Sequence, residues 1–190
     1  MKRGYRLKER ARRQEETRRR IIEATVALHT SVGPARTTIS AIAAGAGVER
    51  HTVYAHFPSD GPLFEACSAH WRAAHPFPDG SRWRSQQDPD RRLRSALDQV
   101  YAWYEDVEHD LALFDRDAAV HAMTGELQRS RHAILAGLRD ELADGRPRRK
   151  AVRAAIGHAL DFETWRSLTK RQCLTRRQAV DAMSTLVATI

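Results

Sequence analysis

The chain has 190 residues, 42% of them hydrophobic, which is enough to bury a core and argues against wholesale disorder. Its net charge is +8, and residues 1–20 alone hold ten Lys/Arg against three Glu, so the excess is a local device suited to a polyanionic partner. No apolar run approaches the roughly 20 residues of a membrane span. The start, Met1-Lys2-Arg3-Gly4-Tyr5-Arg6, lacks the apolar stretch of a signal peptide. The expectation is a cytoplasmic protein with no membrane partner, in which the distant Cys67 and Cys173 stay reduced.

Helical periodicity dominates and no segment alternates, so the predicted class is all-α. A first helix is expected over 15–31, with Ile21, Ile22, Thr25, Leu28 and Val32 as its buried stripe. The arm before it, 2–13, either extends that helix and frays or is disordered. Gly33-Pro34 stops the helix. Thr37-Thr38 offers an N-cap for a short helix through Gly45, followed by a turn at Ala46-Gly47-Val48 and a third helix over 49–57. Pro62 suits the first turn of a fourth helix bearing Leu63, Phe64, Cys67 and Trp71. The segment from His75 to Ser81 holds two prolines and a glycine and cannot continue a helix. Five further helical patterns follow, at 89–107, 110–123, 125–143, 148–168 and 175–189, with Gly145-Arg146-Pro147 between the third and fourth.

The segment from Thr38 to Phe57 has the logic of a helix-turn-helix. Ile42 and Ala43 suit the helix crossing, and Gly47 supplies the positive φ of a sharp turn. Val48, Val53 and Phe57 can lock the second helix of the pair onto the first helix of the chain. Arg50, His51 and Thr52 are left at the exposed front, where such side chains reach base edges and phosphates. Tyr54 is expected to pack its ring and offer its hydroxyl to a phosphate. Thr38 and His56 complete the candidate DNA-binding set. The cluster Arg18–Arg20 is read either as a solvated face or as phosphate contacts.

These anchors resemble the TetR family of bacterial regulators. The resemblance runs from Arg20-Ile21-Ile22-Glu23-Ala24 through Leu28, Gly33, Thr37-Thr38, Ile42-Ala43, Ala46-Gly47-Val48, Thr52-Val53-Tyr54 and His56-Phe57 to Leu63. It implies an N-terminal helix-turn-helix on duplex DNA, a palindromic operator, a homodimer, and a C-terminal body that binds a small effector and so releases the operator. Two positions depart from the family pattern. His51 stands where a small residue is usual, and Asp60 where a phosphate-touching Lys is usual, so one backbone contact is in doubt and the Arg-rich arm is a candidate substitute.

The expected division is 1–75 for DNA binding with the basic arm, 76–88 as connector, and 89–190 for effector binding and dimerisation. No GxSxG, HExxH, phosphate-cradling loop or Cys/His metal set is present, so neither an enzyme nor a cofactor or metal is expected. Aromatic and polar residues sharing helical faces give the effector candidates: Trp103 and Tyr104; Phe114 and His121, seven apart; and His158, Phe162 and Trp165 at i, i+4, i+7. The bland alternative is that these stripes are core. Tyr101-Ala102-Trp103-Tyr104 and Arg116-Asp117 resemble some members of the same family more loosely. In the last helix, capped by Thr175, a stripe of Ala179, Met183, Leu186 and Ile190 beside Val180 and Val187 is the candidate dimer face, the alternative being packing on helix 148–168.

Overall fold

A computed structural model describes residues 2–146 and 149–190, and among these the chain forms helices and turns with no strand. The Pro147 stop and the start at 148 lie outside the described residues. The helices are α1 (Lys2–Ser31), α2 (Ile39–Ala46), α3 (Arg50–His56), α4 (Asp60–Ala74), α5 (Ser81–Arg84), α6 (Pro89–Asp117), α7 (Ala122–Ala143), α8 (Arg149–Leu160), α9 (Phe162–Arg166) and α10 (Arg176–Ala188). They fall into two compact units, one running to Pro76 and taking in His109–Gln128, the other Phe77–Glu108 with Arg129–Ile190.

The first unit is built on α1, α2, α3 and α4. Ile21, Thr25, Ile42, Ala43, Val53, Phe57, Leu63 and Cys67 are almost wholly buried in it, and Met123 and Leu127 of α7 pack on the same cluster. Val32, expected in the buried stripe, is exposed, because α1 ends at Ser31 and the chain turns through Gly33. The arm extends α1 as helix. Glu9 accepts from Arg12 and Arg13, and Arg19 donates to Glu16 and Glu23, all at three- or four-residue spacings that support a solvated helix.

In the second unit α6 presents a buried stripe: Leu93, Ala96, Leu97, Val100, Tyr101, Tyr104 and Val107. The patterns 89–107 and 110–123 belong to one helix up to Asp117, since His109-Asp110 carries no breaker and Leu111 continues the stripe. The predicted helix 148–168 is instead interrupted. Asp161 adopts an extended conformation, and its carboxylate accepts from the backbone of Glu163 and Thr164, so α8 stops and α9 begins. The carbonyls of Ala159 and Leu160 left over at the end of α8 accept from the hydroxyls of Tyr101 and Tyr104, each at 2.7 Å. Within the expected connector, α5 anchors Trp83, whose indole donates to Glu141 while Arg84 pairs with the same carboxylate. The Arg84 guanidinium holds the Glu141 carboxyl below its ordinary range.

Candidate nucleic-acid interface

Three local devices shape the helix-turn-helix. Thr38 caps α2 by accepting from the Ala41 backbone N–H at 3.2 Å. Gly47 ends α2 in the left-handed region (φ 62, ψ 44), its N–H returning to the carbonyls of Ala43 and Ala44. Arg20 of α1 then grips the turn, donating to the carbonyls of Ala46 and Gly47. That use of Arg20 escaped the sequence reading, which treated Arg18–Arg20 as one cluster. Arg18 instead lies over the Phe57 ring at 4.8 Å, and Arg19 serves the glutamates of its own helix.

With Val53 and Phe57 buried behind it, α3 turns its other side outward. Arg50, His51 and Tyr54 are exposed, Thr52 and His56 half-buried, and Thr38 exposed at the start of α2. All six candidate DNA-binding residues therefore lie on the paired helices or their cap. Tyr54 is 45% exposed, so it packs less than expected. The His51 imidazole stands 3.5 Å from the Thr52 hydroxyl. Asp60 is exposed in the first turn of α4, where its charge favours the helix dipole.

A second feature of this unit was hidden in the sequence. At the end of α6, Arg116 donates to the Val32 carbonyl at 2.7 Å and to Asp117, while the buried Asp117 carboxylate accepts from Ala35 N–H at 3.0 Å. The Arg116 guanidinium, helped by that N–H, holds the Asp117 carboxyl below its ordinary range. Gly33, at φ 95, leaves room for both side chains.

The effector candidates separate. Phe114 lies edge-on to Trp71, and His121 contacts Phe64 and Thr124, all in the first unit. They do not share one helical face, because Phe114 belongs to α6 and His121 precedes α7. The other five lie in the second unit. Trp103, Tyr104, Phe162 and Trp165 form a chain of ring contacts at 5.2–5.6 Å, and His158 reaches Thr164 of α9 at 3.2 Å. The i, i+4, i+7 argument for His158, Phe162 and Trp165 fails at Asp161, although the fold still gathers them. Trp165 is wholly buried, and its indole N–H has no acceptor among the described residues. An open cleft of about 780 Å³ lies elsewhere in this unit, among α6 and α10 residues such as Asp98, Glu105 and Arg176. Arg176 bridges the two acids, and Arg94 pairs with Asp181, so the cleft is an ion-pair seam holding none of the seven candidates.

On α10, Ala179, Val180, Ser184 and Val187 are buried and α10 packs against α8, while Met183 is half-buried and Leu186 is exposed; Ile190, expected on the same stripe, lies past the end of α10 and is half-buried. Among the described residues no group of three or more His, Cys, Asp or Glu could hold a metal ion, and no helix is long and apolar enough to cross a membrane.

A capped helix, a left-handed glycine turn and a second helix with a polar front define an all-helical protein of the helix-turn-helix class. Residues 21–67 match the family model of the bacterial regulatory proteins, tetR family, so the chain carries an N-terminal segment similar to that family's DNA-binding domain. Solved structures share the fold. A TetR-like transcriptional regulator from Rhodococcus sp. RHA1 is 21% identical, with 90% of this chain and 93% of that one covered at a TM-score of 0.63. AibR, in complex with isovaleryl coenzyme A and operator DNA, is 18% identical, with 90% and 97% covered at 0.60. The ketosteroid transcriptional regulator KstR2 of Mycobacterium tuberculosis is 19% identical, with 90% and 92% covered at 0.51. No curated protein matches the chain.

Proposed function

We propose that the chain is a cytoplasmic homodimeric repressor that reads a palindromic operator with α3 and leaves it when a small effector binds its body. The observation that carries the reading is the two-sided α3: Val53 and Phe57 are buried, while Arg50, His51 and Tyr54 are free to meet a groove. In this reading 1–75 binds DNA, 76–88 connects, and 89–190 binds the effector and the partner subunit. Tyr54 gives its hydroxyl to a phosphate, and Thr38, Thr52 and His56 complete the contacts.

The effector proposal rests on the ring chain Trp103–Tyr104–Phe162–Trp165, with the Trp165 N–H as a donor awaiting an acceptor. His158 is a polar neighbour, and Phe114 and His121 are weaker candidates in the first unit. AibR, which shares the fold, has been solved with both an acyl-coenzyme A and operator DNA. Release follows if the effector prefers a conformation whose two reading heads are wrongly spaced. The dimer face is the apolar edge of α10 that is least buried, Met183 and Leu186, with Ile190 just beyond the helix end. The test is selection of duplexes from a random pool, followed by binding with and without candidate small molecules. The reading expects a palindrome bound by two chains and released by at least one compound. A bound non-palindromic site on a single chain would refute it.

A further inference from the structure

The arm of α1 carries most of the molecule's excess charge, and the fold sorts that charge by face. Counted at about 100° per residue, Arg6, Arg10, Arg13, Thr17 and Arg20 fall on one stripe, recurring at intervals of four and three. The stripe ends at Arg20, whose guanidinium holds the Ala46 and Gly47 carbonyls, in the turn that leads into α3. Lys8 and Arg12 point to the other side of the same helix. The acids reach the stripe only at Arg13. Glu9 is shared by Arg12 and Arg13, and Glu16 goes to Arg19, while Arg6 and Arg10 are exposed and in no ion pair among the described residues.

We propose that the N-terminal half of α1 is a helical outrigger whose Arg6–Arg10–Arg13 face binds duplex phosphates outside the reach of α3. The proposal rests on the DNA-binding reading above and adds a second, sequence-independent contact to it. Its occupant follows from charge complementarity: a row of cations in register with the reading head meets the densest line of negative charge a head-bound partner offers. Fourteen residues separate Arg6 from Arg20, about 21 Å along a helix, so the stripe covers about six base pairs at 3.4 Å each. The outrigger also supplies backbone attraction that Asp60 does not.

The test uses the full chain and a duplex selected from a random pool, comparing Arg6→Gln with Arg10→Gln (stripe pair) and Lys8→Gln with Arg12→Gln (opposite pair). Both pairs remove two charges. The stripe pair is expected to make the slope of log K against log salt shallower by about 1.8 per protomer, on the order of tenfold in relative affinity between 50 and 200 mM salt. Trimming about six base pairs from each flank should abolish the difference between wild type and the stripe pair. The opposite pair should change the slope far less. Equal effects of the two pairs, or a difference that survives trimming, would overturn the outrigger while leaving the reading head intact. So would unaltered DNA binding by the stripe pair with lost binding to phosphatidylserine vesicles. Failure of the wild type to bind any duplex would overturn the DNA-binding reading and the outrigger with it.

Discussion

Replacing Gly33 by alanine tests how the end of α6 is fastened to the reading head. Gly33 sits at φ 95, ψ 156, a region that side chains rarely enter, at a cost of about 1–3 kcal/mol. A Cβ there would lie 2.2 Å from Arg116 Nη2 and 2.4 Å from Asp117 Oδ2. Neither is a flexible tip free to swing away, because Arg116 is bonded to Val32 and Asp117 to Ala35. Breaking charge-assisted bonds to a buried carboxylate adds about 1.5–3 kcal/mol. Together Gly33→Ala should cost about 4 kcal/mol, or about 8–16 °C in melting temperature for a chain of this size. The control is Gly137→Ala, where a Cβ meets nothing within 4 Å inside α7 and should be neutral or slightly stabilising. In an Asp117→Ala background Gly33→Ala should cost less, since one of the two clashes is gone. A Gly33→Ala protein melting within a degree of wild type would refute the reasoning.

Acid should loosen the first unit through His29, whose pKa falls from 6.5 to about 4 because burial, and then His121, disfavour its charged form. The unfolded state then binds more protons, so this contribution is complete above pH 6.5 and is lost as pH falls toward 4. It amounts to about 3 kcal/mol, and His29→Gln should flatten that limb of urea midpoint against pH, an unchanged limb counting against it. Leu186→Asp should convert a sedimenting dimer to monomer at micromolar concentration, and a persisting dimer would move the interface off α10. Trp165→Phe should keep dimerisation and operator affinity while blunting release by effector, whereas dissociation with a normal response would place Trp165 at the subunit seam.

The reading head was legible because its geometry is enforced by neighbours in sequence: the Thr38 cap, the left-handed Gly47 and the Gly33-Pro34 stop each act within a few residues. The body was less so. A cap residue was present at Asp161, but the apolar positions on either side kept helical spacing, and periodicity outweighed it. What allows α8 to end there is long-range, the Tyr101 and Tyr104 hydroxyls meeting its last carbonyls from 56–58 residues away. The split expected between 107 and 110 erred in the opposite sense. No helix breaker stands there, Asp110 accepts the Trp71 indole N–H at 2.6 Å, and α6 runs on. The Arg116–Asp117 fastening and the Arg20 grip depend on carbonyls and N–H groups, which carry no trace in residue identity.

The most direct measurement of the central claim is the affinity ratio between a pool-selected duplex and a scrambled one, for wild type and for Arg50→Ala combined with Thr52→Ala. Reading by α3 predicts a wild-type preference of about a thousandfold or more at physiological salt. The variant should lose about 1–3 kcal/mol of base discrimination for each good contact removed. It should keep its salt-dependent binding to the scrambled duplex. A variant that discriminates as well as wild type would contradict the account.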